Sequence, residues 1–339
     1  MIVAPRRPVR DMLMSSVRIY VCCHKPFAVL PAKHFVPIHV GRELASADVR
    51  RAMSGYRGDD TGDHISGKNG RYAELTAHYW VWKNTPPEKR TGFVGFFHYR
   101  RYLAMRSSPV DSYPHCLPET AAAQKYGWTS EALIKECANL DFVGHPWWIH
   151  KDSVYDLDKT YRMMTPERWK LHAKLPAHPT LYDHYRLVHR QQDLDAAIEI
   201  VKRRHPGFDE ALATGLQSER GYFLNMFIMR WELFDEYCAW LFPILDELDA
   251  RMLANEQDAP EGFQCRAIGF LGERLLNVFL ASKRRHGAAS TREGSRGIAF
   301  ISQPSPKPFT PPRLHWLTRL IKKSPLVERA ARRLRHLFH

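Results

Sequence analysis

The chain has 339 residues and is 44% apolar, enough for a sizeable core in one large or two medium domains, which excludes a disordered polypeptide. Lys and Arg number 50 against 36 Asp and Glu, a net charge of +14. The surplus is local: residues 281–339 hold 14 basic residues against Glu293 and Glu328, so the preceding 280 residues carry only +2 and do not predict a core that binds nucleic acid.

From the amino end, residues 1–16 form an extension with Arg6, Arg7 and Arg10 but no apolar h-region behind them. The longest apolar runs fall far below the ~20 residues of a membrane span, and both features point to a cytoplasmic protein. Val17 to Cys23 (VRIYVCC) is a β-rich run ending at His24-Lys25-Pro26, and Pro37 to Gly41 reads as a second strand closed by a glycine turn. A polar loop, GYRGDDTGDHISGKNG, fills 55–70. Tyr72 to Asn84 has helical character and is stopped by Pro86-Pro87. Gly92 to Phe97 suits a central strand and delivers His98-Tyr99-Arg100-Arg101-Tyr102.

Asp141 to Gly144 and Phe223 to Met229 read as further strands, and Asp193 to Arg204, Glu232 to Leu248 and Phe270 to Leu280 as helices. This alternation predicts an α/β domain with a largely parallel sheet whose ligands collect at strand ends. Residues 283–312, rich in Arg, Gly, Ser and Pro, have the composition of a linker. In 313–339, Leu314, Leu317, Leu320 and Ile321, then Leu326, Ala330, Leu334 and Leu337, recur at helical spacing among arginines. That pattern predicts a basic amphipathic helical tail of the kind that lies on an anionic membrane, the plainer alternative being a helix docked on the protein's own core.

The six cysteines show no C-x-x-C pair and read as buried small hydrophobes. Gly62 to Lys68 has the spacing of a phosphate loop, but Asn69 stands where Mg²⁺ needs a hydroxyl, so the glycines are coincidental. The pairs Asp156/Asp158 and Asp193/Asp195 have Asp-x-Asp spacing that could suggest metal, but Asp193 and Asp195 open a helix, where i,i+2 side chains diverge, and suit capping and dipole pairing better. His98-Tyr99-Arg100-Arg101 carries the sharpest local signal. Two adjacent arginines after an apolar strand offer forked donors to a diphosphate, the plain alternative being a solvated strand end.

HKP (24–26), PIHVG (37–41), GDDTGDHIS (58–66), KN (68–69), ELTAHYWVWKN (74–84), GFFHYRRY (95–102), NMFIM (225–229), LFDEYCAWLF (233–242) and FLGERLLN (270–277) occur in this order. Over about 17–282 the chain thereby resembles bacterial glycosyltransferases of capsule, exopolysaccharide and O-antigen synthesis, a family grouped as a domain of unknown function and including galactofuranosyltransferases. The resemblance implies a GT-A-like, Rossmann-type nucleotide-sugar-binding domain at 17–282 with a helical C-terminal part, followed here by the linker and tail.

It also implies site roles. His24 and Lys25 would lie near a uracil, Asp59 and Asn69 would line the donor ribose or sugar with Glu74 behind, and His98, Tyr99, Arg100 and Arg101 stand where related folds carry a metal-binding Asp-x-Asp. Either the arginines neutralise the departing UDP without a metal, or His98 and an Asp of the 59–63 loop hold a divalent ion such as Mn²⁺ or Mg²⁺; the arginines are preferred. Inverting transfer needs a carboxylate base, with Glu273 the first candidate and Asp63 the second; an ion pair of Glu273 with Arg274 or Arg266 is the structural alternative. The aromatic-rich segment 104–222 is expected to take the acceptor. The implied function is transfer of a sugar from a UDP-sugar, UDP-galactofuranose among the candidates, to a lipid-linked or polysaccharide acceptor at the inner face of the cytoplasmic membrane, with no nucleic-acid partner. The alternative is a non-catalytic nucleotide- or glycan-binding scaffold.

Overall fold

β-branched and aromatic runs build the sheet. The computed structural model describes residues 16–27, 29–30, 32–106, 119–149, 166–254, 262–284 and 291–300. In chain order its strands are β1 (Val17–Cys23), β2 (Phe35–His39), β3 (Arg57–Gly58), β4 (Phe93–His98), β5 (Arg101–Ala104), β6 (Phe142–Trp148), β7 (Arg220–Arg230), β8 (Glu293–Ser295) and β9 (Gly297–Phe300). Its helices are α1 (Ala47–Ala52), α2 (Asn69–Tyr72), α3 (Leu75–Asn84), α4 (Glu119–Tyr126), α5 (Ser130–Cys137), α6 (Pro166–Lys174), α7 (Leu181–Val188), α8 (Gln191–Arg204), α9 (Asp209–Leu216), α10 (Trp231–Ala254) and α11 (Ala267–Lys283).

The strands lie in the order β3-β2-β1-β4-β7-β6-β8, with β5 and β9 branching from β4. Parallel pairing of β3, β2, β1 and β4, and of β6 with β8, combines with antiparallel β4–β7 and β7–β6 contacts. Six of these seven strands therefore run one way and only β7 runs against them, so the sheet is the parallel-dominated α/β type expected.

Side chains alternate between two cores, as the two-residue period of a strand requires. Tyr20, Cys22, Val94, Phe96, Phe142 and Phe227 pack on one face with α3, α10 and α11. Ile19, Val21, Phe97, Val143 and Ile228 pack on the other with Trp128 and α5. Covering both faces explains why VRIYVCC and GFVGFF are nearly continuous apolar runs. Cys22, Cys23, Cys137 and Cys238 are buried, as the cysteine pattern predicts, whereas Cys265 is only half-buried. Asp193 opens α8, which agrees with the helix-end reading.

The expected linker at 283–312 is corrected in part. Glu293–Ser295 pairs in parallel with Phe142–Gly144, and Gly297–Phe300 pairs with Arg101–Ala104. Asp141 anchors this return by accepting the Arg292 N–H at 3.0 Å while Arg230 donates to it at 3.0 Å. Pairing partners, rather than propensity, make these residues strands. The tail at 313–339, the extension at 1–15, Cys116, Asp156 and Asp158 lie outside the described residues.

His78 of α3 is fully buried, its ring 3.9 Å from that of Phe96 and 5.1 Å from that of Phe227, and burial pushes its pKa down to about 3. His184 is lowered well below its ordinary value by burial, with Arg274 and His189 adding to the effect. Both stay neutral in the fold, whereas the unfolded chain takes up protons below pH ~6.5. Stability is therefore retained above that pH and lost as pH falls toward the depressed folded values. Each such histidine steepens the loss by about 1.4 kcal/mol per pH unit. Denaturant titrations at pH 6 and pH 4 should show a shallower loss for His78→Phe than for wild type; equal slopes would refute this account.

Candidate active site

The site grows from the carboxyl ends of β1 and β4. β1 passes its last residue, Cys23, into His24 and Lys25, and β4 ends at His98, which pairs with Arg101 across a two-residue turn of Tyr99 and Arg100. The Tyr99 N–H donates to the Cys22 carbonyl at 3.2 Å, locking this turn against β1. The Tyr99 ring is buried and acts as a pedestal. His24, Phe27 and His98 surround it at 5.2, 4.9 and 4.3 Å, while Lys25 Nζ and Arg100 Cζ lie over it at 5.9 and 5.1 Å. Cation–π attraction to a buried ring fixes where the two exposed cations stand.

The histidines carry the electrostatic signature of this cluster. His98 is pushed down to about 2 by burial and then by Arg101, Arg100, His24 and Arg266; its Nδ1 accepts the Arg100 N–H at 3.2 Å. His24 is lowered by burial, then Lys25, with Arg266 and Arg100 adding and Glu74 opposing. Two neutral imidazoles thus sit among Lys25, Arg100, Arg101 and Arg266. Among the described residues neither Lys25 nor Arg100 has a carboxylate within 4 Å. Two cations held side by side with no carboxylate of their own, Lys25 and Arg100, are better accommodated when an anion enters.

Several expected site residues have other duties. Asp59 is fully buried: its carboxylate accepts from the Gly41 N–H at 2.8 Å, the Arg42 N–H at 3.1 Å, Ser66 Oγ at 2.5 Å and Thr76 Oγ1 at 2.7 Å. Asn69 donates to the Ala73 carbonyl at 2.8 Å and to Thr76 Oγ1 at 3.1 Å. A Cβ on Gly41, whose φ is +67°, would stand 2.7 Å from Asn69 Cγ, which is why the PIHVG segment ends in glycine. Asp59 and Asn69 therefore act as struts tying β2, the 59–69 loop and α3 together, and the buried Asp59 carboxylate is fully engaged by its four donors. The loop glycines line no anion cradle; Gly62 instead faces the Asn84 side chain.

Asp63 is held elsewhere. Its Oδ1 accepts from Tyr79 Oη at 2.9 Å and its backbone is bonded to Asn84, the last residue of α3. A ten-residue helix is about 15 Å long, so Asp63 is drawn toward the end of α3 opposite Glu74. The structure does not bring Asp63 to the cation cluster.

Glu273 is placed close to the site but bound on both oxygens. Oε1 accepts the Leu224 N–H at 2.9 Å and Oε2 pairs with Arg274 at 2.8 Å. Burial raises its pKa, with Arg274 and the Leu224 N–H opposing and Glu74 adding to the rise. Leu224 and Asn225 have φ of +68° and +50°, and the β6–β7 register shifts between Gly144 and Pro146 beside them. This bulge is pinned from α11: Asn277 accepts the Tyr222 N–H at 2.9 Å and donates to its carbonyl at 3.0 Å, and Asn225 donates to the Gly269 carbonyl at 3.2 Å. Glu273 and Asn277, one helical turn apart, hold a left-handed kink beside the site, a form of strain that persists only when its surroundings enforce it. The ion pair with Arg274 is one of the alternatives raised for Glu273; Arg266 instead approaches Glu74 at 3.7 Å.

Sequence reasoning assigns no site role to Arg266, Asn225 or Asn277. Both asparagines stand inside motifs, NMFIM and FLGERLLN, whose polar members are the available signal.

Among the described residues no three His, Cys, Asp or Glu side chains converge as a metal site requires. The expected pairing of His98 with an Asp of the 59–63 loop is not formed: Asp59 is engaged by four donors, Asp60 pairs with Arg42 at 3.0 Å and Asp63 is tied near the end of α3. Hard divalent ions need several oxygen ligands, and this cluster of cations and neutral imidazoles does not fit one.

Residues 18–284 match a family described as a domain of unknown function, DUF4422. Among solved structures, WbbM, a bifunctional glycosyltransferase in its apo form, is similar with a TM-score of 0.65 and 31% identity, over 85% of this chain and 46% of that one. The chain spans a little under half the length of that protein. No curated protein matches. A match over most of the described fold, together with the likeness to a glycosyltransferase, supports a glycosyltransferase-like character at a coarse level, and the chain belongs to the DUF4422 family.

Proposed function

We propose that this chain transfers a sugar from a UDP-sugar to a lipid-linked or polysaccharide acceptor in cell-surface glycan synthesis. The observation that carries the reading is Lys25 and Arg100 over the Tyr99 pedestal at the strand ends, with Arg101 and Arg266 acting on His98 beside it, where an α/β sheet binds ligands. A nucleoside diphosphate is the ligand such a cluster suits: guanidinium forks match phosphate oxygens, and the charge that develops on the leaving diphosphate is stabilised by cations already in position. His24 and Lys25, beyond β1, fall on the base side of that arrangement. UDP-galactofuranose, UDP-galactose and UDP-glucose are the donors to compare.

Thermal-shift measurements with UDP, GDP and CDP, run beside UDP-sugar turnover on a lipid-extract acceptor, test the reading. UDP stabilisation with product formation is the expected result. Stabilisation without turnover favours a nucleotide-binding scaffold, and no response to any nucleotide rejects both.

The membrane part of the proposal rests on the tail. Among the described residues no helix is long and apolar enough to cross a membrane. Phe300, the last described residue, pairs with Arg101. A tail that holds to anionic lipid would keep the donor site where polyprenyl-linked acceptors lie. Deleting 310–339 should abolish co-sedimentation with anionic vesicles while leaving UDP stabilisation intact; unchanged sedimentation would sink the idea.

A further inference from the structure

The candidate carboxylates near these strand ends differ in one respect. Asp59 lies beneath four donors, Glu273 has one oxygen on the Leu224 N–H and the other on Arg274, and Asp63 is bonded to Tyr79 with its backbone tied to Asn84. Asp63 keeps one oxygen unbonded but lies away from the cation cluster; of the others only Glu74 has neither oxygen in a hydrogen bond among the described residues. It stands at the amino end of α3 with its side chain 20% exposed, and its one ion pair among the described residues is the 3.7 Å approach of Arg266, which is beyond hydrogen-bond reach. Arg266 leads into α11 and Gly269 of α11 lies against Ala73, so Glu74 stands beside the first turns of α11, and its charge acts on His24 and Glu273. The backbone fixes it there, because its carbonyl accepts the Ala77 N–H at 3.0 Å.

We infer that Glu74 is the general base of an inverting glycosyl transfer, a role that rests on the glycosyltransferase reading above. The acceptor oxygen forms a bond to the anomeric carbon as the bond from that carbon to the diphosphate oxygen breaks. The bonding pair leaves with the nucleoside diphosphate toward Arg100 and Arg101, and the acceptor proton passes to a Glu74 oxygen and then to water. A loose ion pair suits a base, because Arg266 orients the carboxylate yet leaves lone pairs free for the incoming proton. Glu273 becomes a positioning residue, which holds the Leu224–Asn225 kink and stands behind Glu74.

Glu74→Gln and Glu74→Asp, compared with wild type, test the assignment using UDP for binding and UDP-galactose or UDP-galactofuranose with a lipid-extract acceptor for turnover. Glu74→Gln should keep wild-type UDP stabilisation and lose at least about 100-fold in kcat, the usual weight of a general base. The acid limb of its pH–rate profile should vanish, Glu74→Asp should recover part of the rate with that limb restored, and the product should carry inverted anomeric configuration. Loss of UDP stabilisation in Glu74→Gln would make the residue a donor ligand and overturn the proposal. So would a retained product, or a Gln variant that keeps more than a tenth of kcat with its acid limb intact. Absence of nucleotide-sugar turnover by the wild-type protein would reject the glycosyl-transfer reading itself, and the Glu74 role with it.

Discussion

Asp59→Ala is expected to destabilise the fold by about 3–5 kcal/mol, the scale on which removing one partner strands the others in a buried polar network. Four donors converge on this carboxylate: the N–H groups of Gly41 and Arg42 and the hydroxyls of Ser66 and Thr76. Alanine leaves the Gly41 and Arg42 N–H groups and the Ser66 hydroxyl without this acceptor at a position with no solvent exposure, while Thr76 can turn to the Ala73 carbonyl at 3.2 Å. Asparagine restores only one accepting oxygen and turns an amide N–H₂ toward groups that themselves donate, so Asp59→Asn should also be severe. Against a total of about 5–15 kcal/mol this is a large fraction, and chemical denaturation should read it as a clear fall in midpoint at unchanged m. Lost activity with wild-type stability would show that Asp59 serves a ligand rather than the scaffold.

The same residue shows where sequence and structure part. GDDTGDHIS marks a loop that matters, and polar residues in such a loop read as ligand contacts. Nothing local reveals that Asp59 turns inward while Asp63 turns out, because the deciding partners, Gly41 and Thr76, belong to other elements. Apolar runs are different. VRIYVCC and GFVGFF specify β1 and β4 by themselves because both faces of each strand are covered, and the turn at 98–101 follows from where β4 ends.

Long-range pairing hides the rest. β8 and β9 have a linker's composition and become strands through Phe142–Gly144 and Arg101–Ala104. In the sequence Glu273 looks like an acid in a helix, and its duty becomes visible only with the Leu224 N–H, 49 positions away. Glu74 and Arg266 are far apart in sequence and meet because α2 and the first turns of α11 pack together, Gly269 lying against Ala73 and Tyr72.

Arg100→Gln combined with Arg101→Gln is expected to lower kcat/KM by about 10³-fold and to remove most of the stabilisation by UDP. Losing one preorganised donor to a developing anion costs about 10²–10³ in rate, and two that act on one leaving group combine less than additively. The fold should survive, because Arg100 is exposed and has no ion pair among the described residues, and Arg101 is held in β5 by its backbone pairing with Phe300. Arg100→Lys keeps the charge but loses the planar fork, so its loss should be intermediate. A second readout is independent of activity. Burial first, then Arg101 and Arg100, hold His98 down, so removing both arginines should move its NMR titration upward, part of the way to the ordinary imidazole range. If these arginines carry the leaving-group charge, turnover should withstand EDTA. Strict dependence on Mn²⁺, or a double variant within tenfold of wild type, would move that charge to another partner and leave the Tyr99 pedestal with only a structural role.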